Sequence, residues 1–360
     1  MKERITHLCT KPDFELCMKR IEAWYCGDII DRAPVRFSAH NAEYGKVYEK
    51  DRWGSLKERW FDVEYQLEKF ERGMEGNPFL GETFPAYWPN LGPNAYPNML
   101  GCGVEYGDVT TWAGHGLKSC RELDKIRFSR ENETFKKLEE LTRAALDRCG
   151  DRYIVGYTDI HPGFDCADAF RGTQELFLDL YDDPEGVKEL VAKCSADFEF
   201  VFGYFNGILR EHGHPSNTWI NIPSFDLFHI PGPDLSAMLS NSQFREFILP
   251  VLKNEVRAAS RVIFHMDGRG VAGHIDDILE VPGINAVQWV QGVGADAPIM
   301  QWIPLIKKIQ AAGKGVVIDL QVNELEGFTQ HVKPKGVYLC INSSEEEEQR
   351  AILKRLLKWK

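Results

Sequence analysis

From residue 150 onward, short apolar runs rich in β-branched residues alternate with longer stretches whose apolar positions recur at three- and four-residue spacing. Each short run is closed by Gly, Pro, Ser or Asp, so the rhythm reads as repeated βα units. The runs YIVGYTDI (153–160), NTWINIPS (217–224), RVIFHMD (261–267), INAVQWV (284–290), GVVIDLQ (315–321) and GVYLCINS (336–343) are predicted strands. APVRFSA (33–39) precedes them, and TFPAYWPNL (83–91) supplies an eighth. Between them, ETFKKLEELTRAALDRCG, PEGVKELVAKCSADFEFVFGYFNGILREHG and PIMQWIPLIKKIQAAGKG have the amphipathic period of helices, the last with a glycine placed as a stop. The acidic run Glu345 to Glu348 reads as the first turn of a final helix.

About eight strands with intervening helices fit an α/β fold of one kind, a single (β/α)8 TIM barrel of the usual ~250 residues plus insertions. The whole chain, 1–360, is then expected to be one barrel domain with an N-terminal extension. Residues 40–130, rich in Trp, Tyr, Pro and Gly, are the expected insertion, forming loops and a hairpin over the barrel mouth. A doubly wound nucleotide-binding sheet lacks support, because no G-x-G-x-x-G follows an early strand.

Composition narrows the function classes. With 43% hydrophobic and 27% charged residues the chain can bury a large core. No stretch has the ~18 or more consecutive apolar residues of a spanning helix, and the start MKERITHLCTKPDFELCMKR has no apolar signal core, so a cytoplasmic protein without membrane contact is expected. Nine cysteines with no C-x-x-C pair suggest reduced, mostly buried thiols and no disulfide framework. A net charge of −11 argues against a nucleic-acid partner and, more weakly, against a highly anionic small substrate.

In a barrel of this kind, catalytic groups project from the carboxyl ends of strands. Asp159 and His161 close one run, His265 and Asp267 another, Gln288 and Trp289 a third, Asp319 and Gln321 a fourth. Taken singly, each reads as a hydrogen-bonding or helix-capping group. Their recurrence at four strand ends points to one mouth, and the pleat aims an i, i+2 pair to the same side. Asp159, His161 and Asp319 are the catalytic candidates. His265 and Asp267 have the chemistry either to share a divalent metal or to orient one another for proton transfer, with Cys340 or Asp319 as a further ligand. Tyr87, Trp88, Trp112, Trp219 and Trp289 lie in or beside the same ends or the insertion, and with Gln288 they are candidates to line a pocket for a flat or apolar ligand. For any single one of these aromatics, core packing is the competing role.

Several segments together resemble the uroporphyrinogen decarboxylase superfamily, in particular its decarboxylase-like branch: RIEAWYCGDIIDRAPVRFSA, YWPNLGP, VGYTDIHPGFDCADAFRG, FHMDGRG and NAVQWVQGVG. The resemblance spans nearly the whole chain and implies a TIM barrel. It also implies one of several chemistries: decarboxylation of uroporphyrinogen, zinc-dependent methyl transfer between methyl-corrinoids and thiols, or the cobalamin-independent methionine synthase reaction. The decarboxylase itself carries two arginines after its first-strand motif, where this chain has Ala39 and Glu43, and its late G-H-G is replaced by GVYLCINSS. The methyltransferase branch holds zinc with His-x-Cys on one strand and a distant Cys. Here His265-Met266-Asp267 and Cys340 occupy those places. A carboxylate in place of a thiolate makes a harder site with less electron donation to the ion.

The leading expectation is therefore a methyltransferase acting on a small O-methyl or N-methyl donor or a methyl-corrinoid, with zinc as the metal and a corrinoid protein as partner. Decarboxylation of a small aromatic or pyrrolic acid, with Asp159 or Asp319 stabilising a cationic intermediate, is the alternative. A non-catalytic corrinoid- or tetrapyrrole-binding barrel is the third reading, and a homodimer is left open.

Overall fold

The computed structural model describes residues 2–38 and 52–360. Among them are the strands β1 (Val35–Ser38), β2 (Ala86–Tyr87), β3 (Val104–Tyr106), β4 (Thr111–Ala113), β5 (Ile154–Val155), β6 (Phe228–His229), β7 (Arg261–Asp267), β8 (Ala286–Val290), β9 (Gly315–Leu320) and β10 (Val337–Asn342). Six form a curled parallel sheet in the order β1-β10-β9-β8-β7-β6, β2 and β5 form a parallel pair, and β3 and β4 an antiparallel hairpin. The architecture is α/β, with helices packed along the strands.

The carboxyl half follows the apolar pattern closely, because each of its strands is a run of five to seven residues that is buried on both faces. The amino half departs from it. The run 153–160 pairs regularly only at Ile154–Val155, since Gly156 brings its backbone against the next segment: a Cβ there would stand 2.7 Å from the Asn217 carbonyl oxygen. The run 217–224 is not a strand. Asn221 takes a left-handed φ of 54°, its side chain accepts a bond from Asn217, and Ser216 and Ser224 exchange backbone bonds, so the segment turns back on itself. The two-residue strand β6 that follows was too short for the pattern to show. The predicted helix from Pro184 breaks at Ala196–Asp197 into Pro184–Ser195 and Phe198–Glu211.

Hydrogen bonds join the two parallel sheets outside regular pairing. Glu82 N donates to Val35 O (2.7 Å), Gly156 N to Tyr87 O (2.8 Å) and Tyr157 N to Asn217 O (2.8 Å), while Phe228 N donates to Ser216 Oγ (3.0 Å). The fully buried Glu82 carboxylate reinforces the β1 end of this chain of contacts. It accepts from Arg32 Nη1 and Nη2 (2.7 and 2.9 Å), Arg20 Nη1 (3.3 Å) and Val35 N (2.7 Å).

Side chains alternate between two layers. Val262, Phe264 and Met266 of β7, with Val287 and Trp289 of β8, Val316 and Ile318 of β9 and Leu339 and Ile341 of β10, pack into the helix layer. Ile263, Ala286, Val317, Tyr338 and Cys340 form a separate inner cluster with Phe84, Ile154, Phe228 and Ile230. The helix Phe14–Tyr25 belongs to this inner cluster: Phe14 meets Phe84, Trp24 meets Tyr338 and Tyr25 meets Phe228. No helix of the described residues is long and apolar enough to cross a membrane, and none of the nine cysteines is in a disulfide, seven being buried and Cys9 and Cys26 exposed. The expected insertion contributes, in its described part, the helices Leu56–Phe61 and Val63–Met74 and the β3–β4 hairpin. Ala39 and Glu43 lie outside the described residues.

Candidate functional site

The inner parity of β7 places His265 and Asp267 on the same side as Ile263, at the carboxyl end of the strand. β8 sets Gln288 opposite His265, and the Nδ1–H of the imidazole donates to the Gln288 amide oxygen at 2.8 Å. With Nδ1 engaged by Gln288, Nε2 is the ring nitrogen placed to meet a further partner. Nε2 faces Asp234, whose Oδ1 is 3.7 Å away. Ligand atoms of Asp234, His265 and Asp267 all lie within 4.8 Å of one another, the one such group of three among the described residues.

Asp234 reaches this position on the loop that follows β6. Asp165, in the first turn of the helix Phe164–Arg171, accepts from the backbone N–H groups of Asp234 and Leu235 (2.8 and 3.3 Å) and so holds the loop. Burial, with the Asp234 charge added, pushes the Asp165 carboxyl up to about 7. Gly232 lets the loop backbone approach the imidazole: a Cβ there would be 3.2 Å from His265 Cβ and Cδ2. The indole of Trp219 closes another side of the ring, edge to face at 5.1 Å.

His161 and Asp159 form an ion pair with each other, Nε2 to Oδ1 at 2.8 Å. Burial alone disfavours the charged imidazole, but Asp159 beside it, with Asp165 and Asp234 beyond, raises it to about 10. Both groups stand near enough to act on Asp234. On the other flank, Arg36 of β1, Cys340 of β10 and Asp319 of β9 are register partners on neighbouring strands. Arg36 Nε donates to Cys340 Sγ at 3.0 Å, and Arg36 Nη1 donates to the Ile220 carbonyl. Burial pushes the Cys340 thiol up to about 11 although Arg36 pulls it down, so the sulfur stays protonated at neutral pH. Burial likewise raises Asp319, against the pull of Arg36 and His265.

The structure thus brings Asp159, His161, His265, Asp267 and Gln288 to one region, with Asp319 near His265. Cys340 points inward but takes Arg36 as its partner, and the third member of the metal-type group is Asp234 in its place. Three of the proposed pocket aromatics lie elsewhere. Tyr87 and Trp289 have the opposite parity and sit in the helix layer, against Phe70 and Trp302. Trp112 is on the β4 hairpin, 56% exposed. Trp88 and Trp219 keep buried indole N–H groups that have no partner among the described residues. Sequence reasoning missed Asp234, for which PGPD after a short apolar run was the available signal, and Arg36, a lone cation inside an apolar strand.

One imidazole nitrogen and two carboxylate oxygens are a donor set for zinc or a harder divalent ion. Neighbouring ligands of a tetrahedral ion with bonds of ~2.0 to 2.2 Å stand roughly 3.3 to 3.6 Å apart. The 3.7 Å between His265 and Asp234 is close to that, and the three ligand atoms, within 4.8 Å of one another, would draw together around an ion.

No family model matches the chain, and no curated protein matches it at a significant level. Among solved structures, a methyltransferase from Methanosarcina mazei superposes with a TM-score of 0.64 at 11% identity, over 94% of this chain and 97% of that one. The chain therefore shares the fold of that protein.

Proposed function

We propose that the chain is a methyltransferase-like enzyme on a closed (β/α)8 barrel, acting at the strand ends around His265. The observation that carries this reading is the convergence of Asp234, His265 and Asp267, with Gln288 engaging the imidazole at Nδ1. The contacts that run from Val35 through Tyr87 and Asn217 to Ser216 and Phe228 support ring closure, the segment 216–230 supplying the irregular fourth stave.

Asp234, His265 and Asp267 would hold a divalent ion, zinc by preference. Such an ion supplies Lewis acidity that lowers the pKa of a bound thiol or hydroxyl acceptor. The chain's own residues do the rest. Trp219, against His265, offers the ligand a flat face and an unsatisfied indole donor. The His161–Asp159 pair keeps a proton on the imidazole at the edge of the group, and Asp165 fixes the loop that carries Asp234. The methyl donor is a small O-methyl or N-methyl compound or a methyl-corrinoid, the last presented by a partner protein.

Metal analysis and methyl-transfer assays test this together. Wild-type protein should bind one zinc or cobalt ion per chain, lose it in His265→Ala, and transfer methyl from methylcobalamin to a small thiol only when loaded. Stoichiometric metal that survives His265→Ala would place the ion elsewhere, and a loaded protein inert toward every donor class would remove the methyl-transfer reading.

A further inference from the structure

We propose that Arg36 is the receptor for a carboxylate on the substrate, so that the enzyme's ligand is a small carboxylic acid. The inference deepens the reading above and rests on it for where the ligand sits. Arg36 emerges from β1 between the helix-layer residues Val35 and Phe37, with Cys340 as its register partner, and it meets the inward Cys340 thiol. Its side chain is half-buried, and no carboxylate of the described residues lies within 4.0 Å of it as an ion-pair partner. Its two hydrogen-bond partners are both neutral: a protonated thiol at Nε and a backbone carbonyl at Nη1. They use two of the five N–H groups of a guanidinium, and its remaining edge is the geometry that carboxylates take in pairs.

A cation withdrawn from water without an adjacent anion is costly, and proteins retain such an arrangement where a ligand supplies the charge. Asp319 acts on Arg36 from a distance, outside ion-pair contact. It is linked to Arg36 through the Cys340 thiol that stands between them. Two further observations converge on the same place. The carbonyl bound by Arg36 belongs to Ile220, and the preceding residue, Trp219, points an unpartnered indole N–H into the interior. Trp219 also touches His265, so the adjacent residues Trp219 and Ile220 reach the metal-type group and the guanidinium respectively.

Register places the two ends of the ligand. Arg36 aligns with Cys340 and Cys340 with Asp319, while Asp267 aligns with Val290 two residues beyond the His265–Gln288 pair. Extending the β8–β9 register from Trp289 and Ile318 sets Val290 beside Asp319, so Arg36 and Asp267 occupy the same level of the sheet. They are separated by the three strands β10, β9 and β8, four steps of about 4.8 Å around the curl. A ligand spanning that gap presents its carboxylate to β1 and its reacting group to β7. A flat acid with the methyl-bearing atom opposite the carboxyl group has that shape.

4-Methoxybenzoate and its neutral analogue 4-methoxybenzamide are the matched probes. Wild type should bind the acid roughly ten to a hundred times more tightly than the amide, the range for charge-assisted bonds at a partly buried guanidinium. Arg36→Gln should erase the preference, Arg36→Lys should keep part of it, and circular dichroism and thermal unfolding should show both variants folded. His265→Ala should retain the acid preference while losing metal. Failure of wild type to favour the acid, whether both probes bind equally or neither binds, overturns the proposal, as does a preference undiminished in Arg36→Gln. An acid preference that depends on Arg36 in a protein that takes up no metal and transfers no methyl group sustains the carboxylate site and sinks the methyltransferase reading.

Discussion

Replacing Glu82 with glutamine tests whether the buried charge network positions β1, and with it Arg36. Four donors converge on the two oxygens of Glu82: Oε1 accepts from Arg20 Nη1 and Arg32 Nη2, and Oε2 from Arg32 Nη1 and Val35 N. An amide has nearly the same shape but only one acceptor. Whichever oxygen becomes NH2, two donors are left facing a donor. Hydrogen bonds to charged groups contribute about 1.5 to 3 kcal/mol each, so losing two costs roughly 3 to 6 kcal/mol. The independent figure for breaking one partner of a buried ion pair, about 3 to 5 kcal/mol, agrees. Both guanidiniums are at most 9% exposed, so water cannot take over the lost bonds without opening the structure. Urea unfolding of wild type and Glu82→Gln, followed by circular dichroism with the slopes fitted separately, measures the difference. A loss below about 1 kcal/mol at an unchanged slope would refute the reasoning and show that the network relaxes around the amide.

Gln288→Leu should weaken zinc binding by roughly 10- to 100-fold in a chelator competition, because the imidazole loses the acceptor that sets its tautomer; unchanged affinity would dissociate Gln288 from the metal group. Cys340→Ala should leave metal stoichiometry and affinity as in wild type, since the thiol is engaged by Arg36, and a marked loss would return Cys340 to the ligand set. His161 should titrate near pH 10 by NMR, and its contribution to stability, its pKa being higher in the folded chain, should be complete below about pH 6.5 and fade as pH rises through 10. A midpoint near 6.5 in the folded protein would show that Asp159 does not hold the proton.

The legible part of this sequence is the part where one physical pattern dominates. The carboxyl-half strands β7 to β10 are buried on both faces, so a plain apolar run locates them, and the polar residue closing each run marks its carboxyl end. His265, Asp267, Gln288 and Asp319 were found that way. Which face each side chain takes was harder, because alternation carries no information when both faces are apolar. Tyr87 and Trp289 read as pocket walls and turned out to be one residue out of phase, in the helix layer. In the amino half, the stretch 214–230 is held by side chains and turns, with Ser216, Asn217 and Asn221 bonding in place of strand neighbours, and periodicity cannot report that.

The two residues that the pattern missed explain each other's neighbours. Asp234 lies on a loop after a strand of two residues, and its approach to His265 depends on Gly232 and on Asp165, some seventy positions away in the chain. Arg36 interrupts an apolar run, and its inward direction emerges only once β1 is paired with β10. With Asp234 completing a three-ligand group, Cys340 is no longer needed as a ligand, and its thiol can sit neutral against the guanidinium. That is a different division of labour from His-x-Cys with a distant thiolate. The ion would be held at β7 and the loop after β6 by hard donors, while the β1–β10–β9 side is left to bind the ligand's charge. A double-mutant cycle of Arg36→Gln with His265→Ala separates the two halves. If they act independently, acid binding in the double variant falls by the sum of the single free-energy losses within about 0.5 kcal/mol. A coupling well above that would mean that the two halves hold the ligand as one unit.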